Sequence, residues 1–165
     1  MVKYASKFVT ASTQHYLFDW GDTLMVDLPN QTGPMCDWPH LQAVEGAKAC
    51  LQRLSEHAQC HVATNAEDST EAQIRLALKR AGLSEYLSHV FCRENLGVGK
   101  TAADYYTKIV NRLNVNPEHI TMVGDSLERD VHQALRAGIK AVWFNANSER
   151  AASNILTINR LDMLV

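Results

Sequence analysis

Short apolar runs that each stop at a polar residue, separated by helix-length amphipathic stretches, constrain this chain more than any other feature. Tyr16-Leu17-Phe18 stops at Asp19, Cys60-His61-Val62-Ala63 stops at Thr64-Asn65, and Ile120-Thr121-Met122-Val123 stops at Gly124-Asp125. Val90-Phe91-Cys92 and Ala141-Val142-Trp143-Phe144 read the same way. Runs this short are strands buried on both faces. Between them lie helical patterns. Val44–His57 carries Val44, Ala47, Leu51 and Leu54 on one face. Asp68 or Ser69 caps a helix through Ile74, Leu76 and Leu78 that stops at Gly82. Thr101–Leu113 has Ala102, Tyr105, Tyr106, Ile109 and Leu113 as its inner face, and Leu127–Ala137 closes at Gly138. Strands joined through helices pair in parallel by right-handed crossovers. The expectation is a three-layer, doubly wound α/β sheet of about five strands, with a short strand and a last helical turn in Ile155–Val165.

The length of 165 residues suits a single domain, residues 1–165, able to bury a core without staples. Residues 20–42 hold Gly21, Pro29, Gly33, Pro34 and Pro39, so they read as a loop or flap inserted after the first strand. A formal charge of −2 carries no basic excess, which argues against a nucleic-acid or anionic-membrane partner. No run is long enough to cross a membrane, and Met1–Gln14 has no apolar signal core. Cys36, Cys50, Cys60 and Cys92 form no CxxC pair, which suits free thiols in a reducing cytoplasm. The histidines show no metal-ligand spacing.

In a doubly wound sheet, ligands bind at the carboxyl ends of the strands. Asp19, Thr64 and Asp125 stand at those ends. Lys100 follows the turn Gly97-Val98-Gly99, and Asp130 lies about one and a half helical turns beyond Asp125. Carboxylates crowded on one rim repel and call for a cation. Hard oxygen donors in small number suit Mg²⁺, which completes its shell with water and phosphate oxygens. The Lys100 ammonium can hold a phosphoryl group, and Thr64 can hydrogen-bond one.

The chain resembles the haloacid dehalogenase-like (HAD) hydrolases over roughly residues 15–145. The likeness rests on Leu17-Phe18-Asp19-Trp20-Gly21-Asp22-Thr23-Leu24, Val62-Ala63-Thr64-Asn65, Lys100, and Val123-Gly124-Asp125-Ser126-Leu127-Glu128-Arg129-Asp130 in that order. The resemblance implies a Rossmann-like sheet and a Mg²⁺-dependent phosphatase. Asp19 would be the nucleophile and take the phosphoryl group as an aspartyl-phosphate. Asp19, the Gly21 carbonyl and Asp125 would ligate Mg²⁺, with Asp130 supporting it directly or through water. Thr64 and Lys100 would hold the phosphoryl oxygens.

One position departs from that pattern. Phosphatases of the family carry a second aspartate two residues after the nucleophile, as general acid and base; here it is Gly21, with Asp22 one residue later. Four readings stay open: Asp22 as a displaced acid/base, a slower enzyme preferring good leaving groups, a proton relay from substrate or a partner chain, or altered or lost chemistry. The dehalogenase and phosphonatase branches also lack this aspartate, but they carry a helical cap for which this chain has no room. A capless member uses a large substrate or a neighbouring subunit as lid, so a homodimer is one expectation. Met25, Leu28, Met35 and Trp38 either cover the site, form a dimer contact or pack on the core. Trp20 either touches substrate or packs below the site.

A P-loop around Gly97–Thr101 fails because Glu94 stands where its first glycine belongs. Two further alternatives are a catalytically weak or silent phosphate- or protein-binding regulatory module and a phosphoprotein phosphatase. The leading expectation is a cytoplasmic, Mg²⁺-dependent phosphomonoesterase acting on a phosphorylated small molecule or protein.

Overall fold

The computed structural model describes residues 12–150 and 154–165. Its centre is a six-stranded sheet in which every neighbouring pair is parallel. The strands are β1 (Gln14–Phe18), β2 (Ala58–Ala63), β3 (Leu87–Phe91), β4 (Ile120–Gly124), β5 (Lys140–Phe144) and β6 (Thr157–Ile158), in the order β3-β2-β1-β4-β5-β6. β1 lies between β2 and β4, so the strand order reverses at the gap between β1 and β4. That gap is where a doubly wound sheet opens a crevice.

The helices are α1 (Ala47–Ser55), α2 (Glu71–Arg80), α3 (Arg93–Leu96), α4 (Tyr105–Leu113) and α5 (Gln133–Arg136). Two apolar clusters flank the sheet. One joins Phe18 and Val62 to Leu51 and Leu54 of α1 and Ile74 and Leu78 of α2. The other joins Leu17, Ala63 and Met122 to Tyr105, Tyr106 and Ile109 of α4. Alternate residues of β1 therefore feed opposite layers, as a pleated strand requires.

Several boundaries differ from expectation. The cap of α2 is Thr70, not Asp68 or Ser69: its hydroxyl accepts from the Gln73 N–H at 3.3 Å, and the Gln73 side chain accepts from the Thr70 N–H at 2.8 Å. Helix α1 starts at Ala47 because Gly46, at φ +82°, turns the chain there. Residues 100–104 form turns instead of helix, and α4 starts at Tyr105. Leu127–His132 is a π-helical turn that runs into α5. The sixth strand comes from the predicted C-terminal strand, Thr157–Ile158.

The 20–42 segment is pinned to the core. The Arg80 guanidinium of α2 donates to the carbonyls of Cys36 and Trp38 at 2.7 and 2.8 Å. Met25, Met35 and Trp38 are buried and Leu28 is half-buried against the same core, and Met35 and Trp38 also border a cavity beside Asp19. All four cysteines are free and buried. Among the described residues, no helix is long and apolar enough to cross a membrane.

Three strands also stack the rings of His15, His61 and His89, with centroids 5.3 and 5.2 Å apart. His61 Nδ1 accepts the His89 backbone N–H at 3.3 Å, which leaves Nε2 to carry the proton facing His15 Nδ1 at 3.0 Å. Burial, then the neighbouring His15 and His89, push the His61 pKa down from 6.5 to about 3. The unfolded chain therefore takes up a proton below pH 6.5 that the folded chain refuses until about pH 3. Stability from this ring is complete above that window and falls as pH drops through it, by up to about 1.4 kcal/mol per pH unit. His61→Phe should flatten the acid slope of the thermal midpoint between about pH 6.5 and pH 4 relative to wild type. Equal slopes in the two proteins would remove His61 as a source of acid sensitivity.

Candidate active site

The Lys100 ammonium organises the floor of the crevice. Its Nζ donates to Asp19 Oδ1 at 2.6 Å and to Asp130 Oδ1 at 2.7 Å, and the side chain is 1 % exposed. Burial works to lower the Lys100 pKa, but the Asp130 and Asp19 charges outweigh it and hold the group well above its ordinary value. It is a permanent cation. Asp19 follows β1 directly, and its N–H continues the ladder to the Val123 carbonyl at 2.9 Å. Thr23 Oγ1 bridges Asp19 Oδ2 at 3.3 Å and Asp125 Oδ1 at 3.4 Å. The second oxygen of Asp130 accepts the Ser126 N–H at 3.0 Å.

Two glycines permit this approach. A Cβ on Gly124 would overlap the Asp130 carboxyl, and one on Gly99 would sit 2.6 Å from Asn65 Oδ1. Neither glycine has a positive φ, so the constraint is space, not backbone conformation.

Asp125, just beyond β4, is open to solvent at the mouth of the crevice. The surrounding protein, then the hydrogen-bonding and charge of Asp19 and the charge of Asp130, push its pKa from 3.8 to about 8. Ligand oxygens of Asp19, Asp125 and Asp130 lie within 4.8 Å of one another. Three carboxylates facing one ammonium leave an excess of negative charge. An all-oxygen donor set of this kind fits Mg²⁺. Both Asp130 oxygens accept close hydrogen bonds, at 2.7 and 3.0 Å, whereas Asp19 Oδ2 and Asp125 Oδ1 have only the loose 3.3 and 3.4 Å contacts of the Thr23 hydroxyl, so these two oxygens are the freer donors.

The walls come from the loops. A cavity of about 300 Å³ is lined by Asp19, Gly21, Thr64, Asn65 and Asp125 on the floor and by Trp20, Met35 and Trp38 on the apolar side. Arg129, Asp22, Asp27 and Asp68 also face it. Thr64 is buried, and its Oγ1 accepts the Ala66 N–H at 3.0 Å, which leaves the hydroxyl proton to donate. Asp22 has φ +57°, and its Oδ1 accepts the Asp27 N–H at 2.9 Å. Burial, then Asp22 and Asp68, raise the Asp27 pKa above 3.8. Trp20 belongs to the core yet borders the cavity, and its Nε1 has no hydrogen-bond partner among the described residues.

Asp19, Lys100 and Asp130 meet through hydrogen bonds, Asp125 joins them through Thr23, and Thr64, Gly21 and Asp22 share their cavity. Three groups escaped the strand-end reasoning. Thr23 links two carboxylates, Asn65 Oδ1 fixes the Lys100 backbone, and Asp27 enters from the flap. Thr23 and Asn65 stood beside assigned residues and were visible as polar neighbours. Asp27 carried no sequence signal.

Comparisons with known proteins bear on the family and the fold. A family model described as haloacid dehalogenase-like hydrolase matches residues 33–138. The glyceraldehyde 3-phosphate phosphatase of Pyrococcus furiosus is 30% identical over 105 residues, 64% of this chain and 43% of that protein. The N-acylneuraminate-9-phosphatase of Homo sapiens is 31% identical over 109 residues, 66% of this chain and 43% of that protein. The crystal structure of a HAD phosphatase from Thermococcus onnurineus superposes with a TM-score of 0.65 at 31% identity, covering 75% of this chain and 57% of that one. The chain thus spans less than half the length of these two curated relatives. The fold is Rossmann-like, with no evident cap over the crevice among the described residues. With the family model matching well over half its length, the chain belongs to the haloacid dehalogenase-like hydrolases.

Proposed function

We propose that this chain is a Mg²⁺-dependent phosphatase that hydrolyses a phosphomonoester through an aspartyl-phosphate on Asp19. The observation that carries the reading is the Asp19 carboxylate, gripped by Lys100 at 2.6 Å and bordering an open cavity beside Thr64 and Asp125. A buried ammonium at that place holds the carboxylate in a fixed orientation for attack. It also offers positive charge to the phosphoryl oxygens, whose negative charge a carboxylate nucleophile would otherwise repel.

Asp19 and Asp125, with the Gly21 carbonyl, would hold Mg²⁺, and Asp130 would support it through Lys100 and the Ser126 turn. When bound, the ion supplies charge compensation between carboxylate and phosphate. Thr64 donates its hydroxyl hydrogen to a phosphoryl oxygen. Lys100 stays protonated throughout, so it works by charge and position and not by proton transfer. The relatives named as phosphatases support a phosphorylated small molecule as substrate. The apolar wall of Trp20, Met35 and Trp38 would contact the part of it beyond the phosphate.

Phosphate release from a panel of phosphomonoesters, including an aryl and an acyl phosphate, tests this reading. Turnover should require added Mg²⁺, vanish with a chelator, and fall by about 10³-fold or more in Asp19→Asn. Turnover that survives Asp19→Asn would refute the nucleophile. Gly124→Ala probes the Lys100 bridge from the other side. Its methyl group must displace the Asp130 carboxyl. We expect a loss of about 1–3 kcal/mol in denaturant unfolding and about 10²-fold in turnover. An alanine variant with wild-type stability and rate would show that the bridge tolerates a shifted Asp130.

A further inference from the structure

We infer that Asp27, carried by the flap, donates and accepts the proton that Gly21 cannot handle. The inference rests on the phosphatase reading above and names its general acid and base. Gly21 lines the cavity, and a Cβ built on it would lie 3.9 Å from the Asp27 Cβ, the one contact within 4 Å among the described residues other than its chain neighbours. The Asp27 side chain therefore starts one van der Waals contact from where a side chain at position 21 would start. It also faces the same cavity as Asp19, on the side open to solvent.

The backbone around Asp27 is fixed from several directions. Val26 donates its N–H to the Gln42 carbonyl at 2.8 Å, and the Leu28 carbonyl accepts from Gln31 at 3.2 Å. The Asp27 N–H itself goes to Asp22 Oδ1 at 2.9 Å. Asp22 thus acts as a positioning residue: one of its oxygens holds the turn that presents Asp27. Asp22, Asp68, Asp19 and Asp125 are the acidic groups lining the same cavity as Asp27, of which Asp22 and Asp68 act on its charge, and Arg129 is the basic group lining it.

The chemistry is as follows. In the first step an Asp19 oxygen bonds to phosphorus while the ester P–O bond breaks. The electron pair of that bond stays on the leaving oxygen, which takes the proton of the Asp27 carboxyl. In the second step a water oxygen bonds to phosphorus and gives a proton to the Asp27 carboxylate. The Asp19–phosphorus bond breaks, its electron pair returns to Asp19, and inorganic phosphate leaves with Asp27 protonated again.

An alkyl alcohol needs the proton to leave, whereas a nitrophenolate does not. Rapid mixing of wild type, Asp27→Asn and Asp19→Asn with an alkyl phosphate and with p-nitrophenyl phosphate, in the presence of Mg²⁺, separates the two steps. In Asp27→Asn we expect alkyl phosphate turnover to fall by about 10²-fold or more. With p-nitrophenyl phosphate the same variant should release one equivalent of nitrophenolate in a burst, much less slowed, followed by a slow steady state. Moving the acid back, in Gly21→Asp combined with Asp27→Asn, should recover at least about tenfold of the lost alkyl turnover, since the Cβ at 21 meets only an ordinary contact. Equal slowing of the nitrophenolate burst and of alkyl turnover, or no slowing of either, would overturn the assignment while leaving the phosphatase reading intact. A wild type with no Asp19-dependent release would overturn both.

Discussion

An ammonium buried between two carboxylates is the contact on which the rest of this site depends. Taking Lys100 out of water is costly, and the cost is offset only when its partners stand at hydrogen-bond distance on both sides. That requirement reaches far into the fold. Asp19 must sit at the end of β1 and Asp130 in the turn after β4, so the two central strands must pair in register. The lysine must arrive from the loop after α3, where Asn65 Oδ1 holds its N–H and Gly99 allows the approach. Gly124 must lack a side chain so that Asp130 can lie against it. The same bridge sets the charge of the site. One ammonium against Asp19 and Asp130 leaves a unit of negative charge before Asp125 is added, and a divalent cation is the natural complement.

Asp125 shows how that balance would be tuned. Its pKa near 8 reflects crowding by protein and by Asp19 and Asp130 in the ion-free protein. A cation at the same oxygens reverses the sign of that effect, because it favours the charged form. The group that the fold leaves least content is therefore the one best able to gain from binding an ion. Thr23, between Asp19 and Asp125, lets the two carboxylates share a donor at distances of 3.3 and 3.4 Å. These are loose contacts, and a hydroxyl can yield them.

Much of this was legible in the chain because the sheet imposes a rule on sequence. Buried parallel strands must be apolar, so the first polar residue after each run marks the rim, and Asp19, Thr64 and Asp125 follow at once. The turn glycines before Lys100 and the helical offset of Asp130 added the rest. What stayed hidden depends on tertiary context. A short strand is expected within Ile155–Val165, but its two-residue bounds are set by the ladder it makes with β5. The π-helical turn at Leu127–His132 has a helical sequence, but the Ser126 N–H is held by the Asp130 carboxylate and the first turn widens. The Thr70 cap was masked by two equally good cap residues just before it. The apolar flap residues could be read as an exposed patch, because nothing in the sequence records that Arg80 ties their carbonyls to α2.

The flap also shapes the space beside position 21. At position 21 a side chain would find only ordinary contact, so glycine is not forced there by crowding. One residue on, Asp22 adopts φ +57°, a conformation that aspartate tolerates better than most residues because its short side chain can bond locally. It uses that bond on the Asp27 backbone, and so one carboxylate becomes a bracket for another. The space that glycine leaves open is bordered by the Cβ of Asp27, six residues further along the chain. A proton-transfer group does not need a fixed place in the sequence. It needs a fixed place in the cavity, and a short loop tied at both ends can supply that as well as the strand end can.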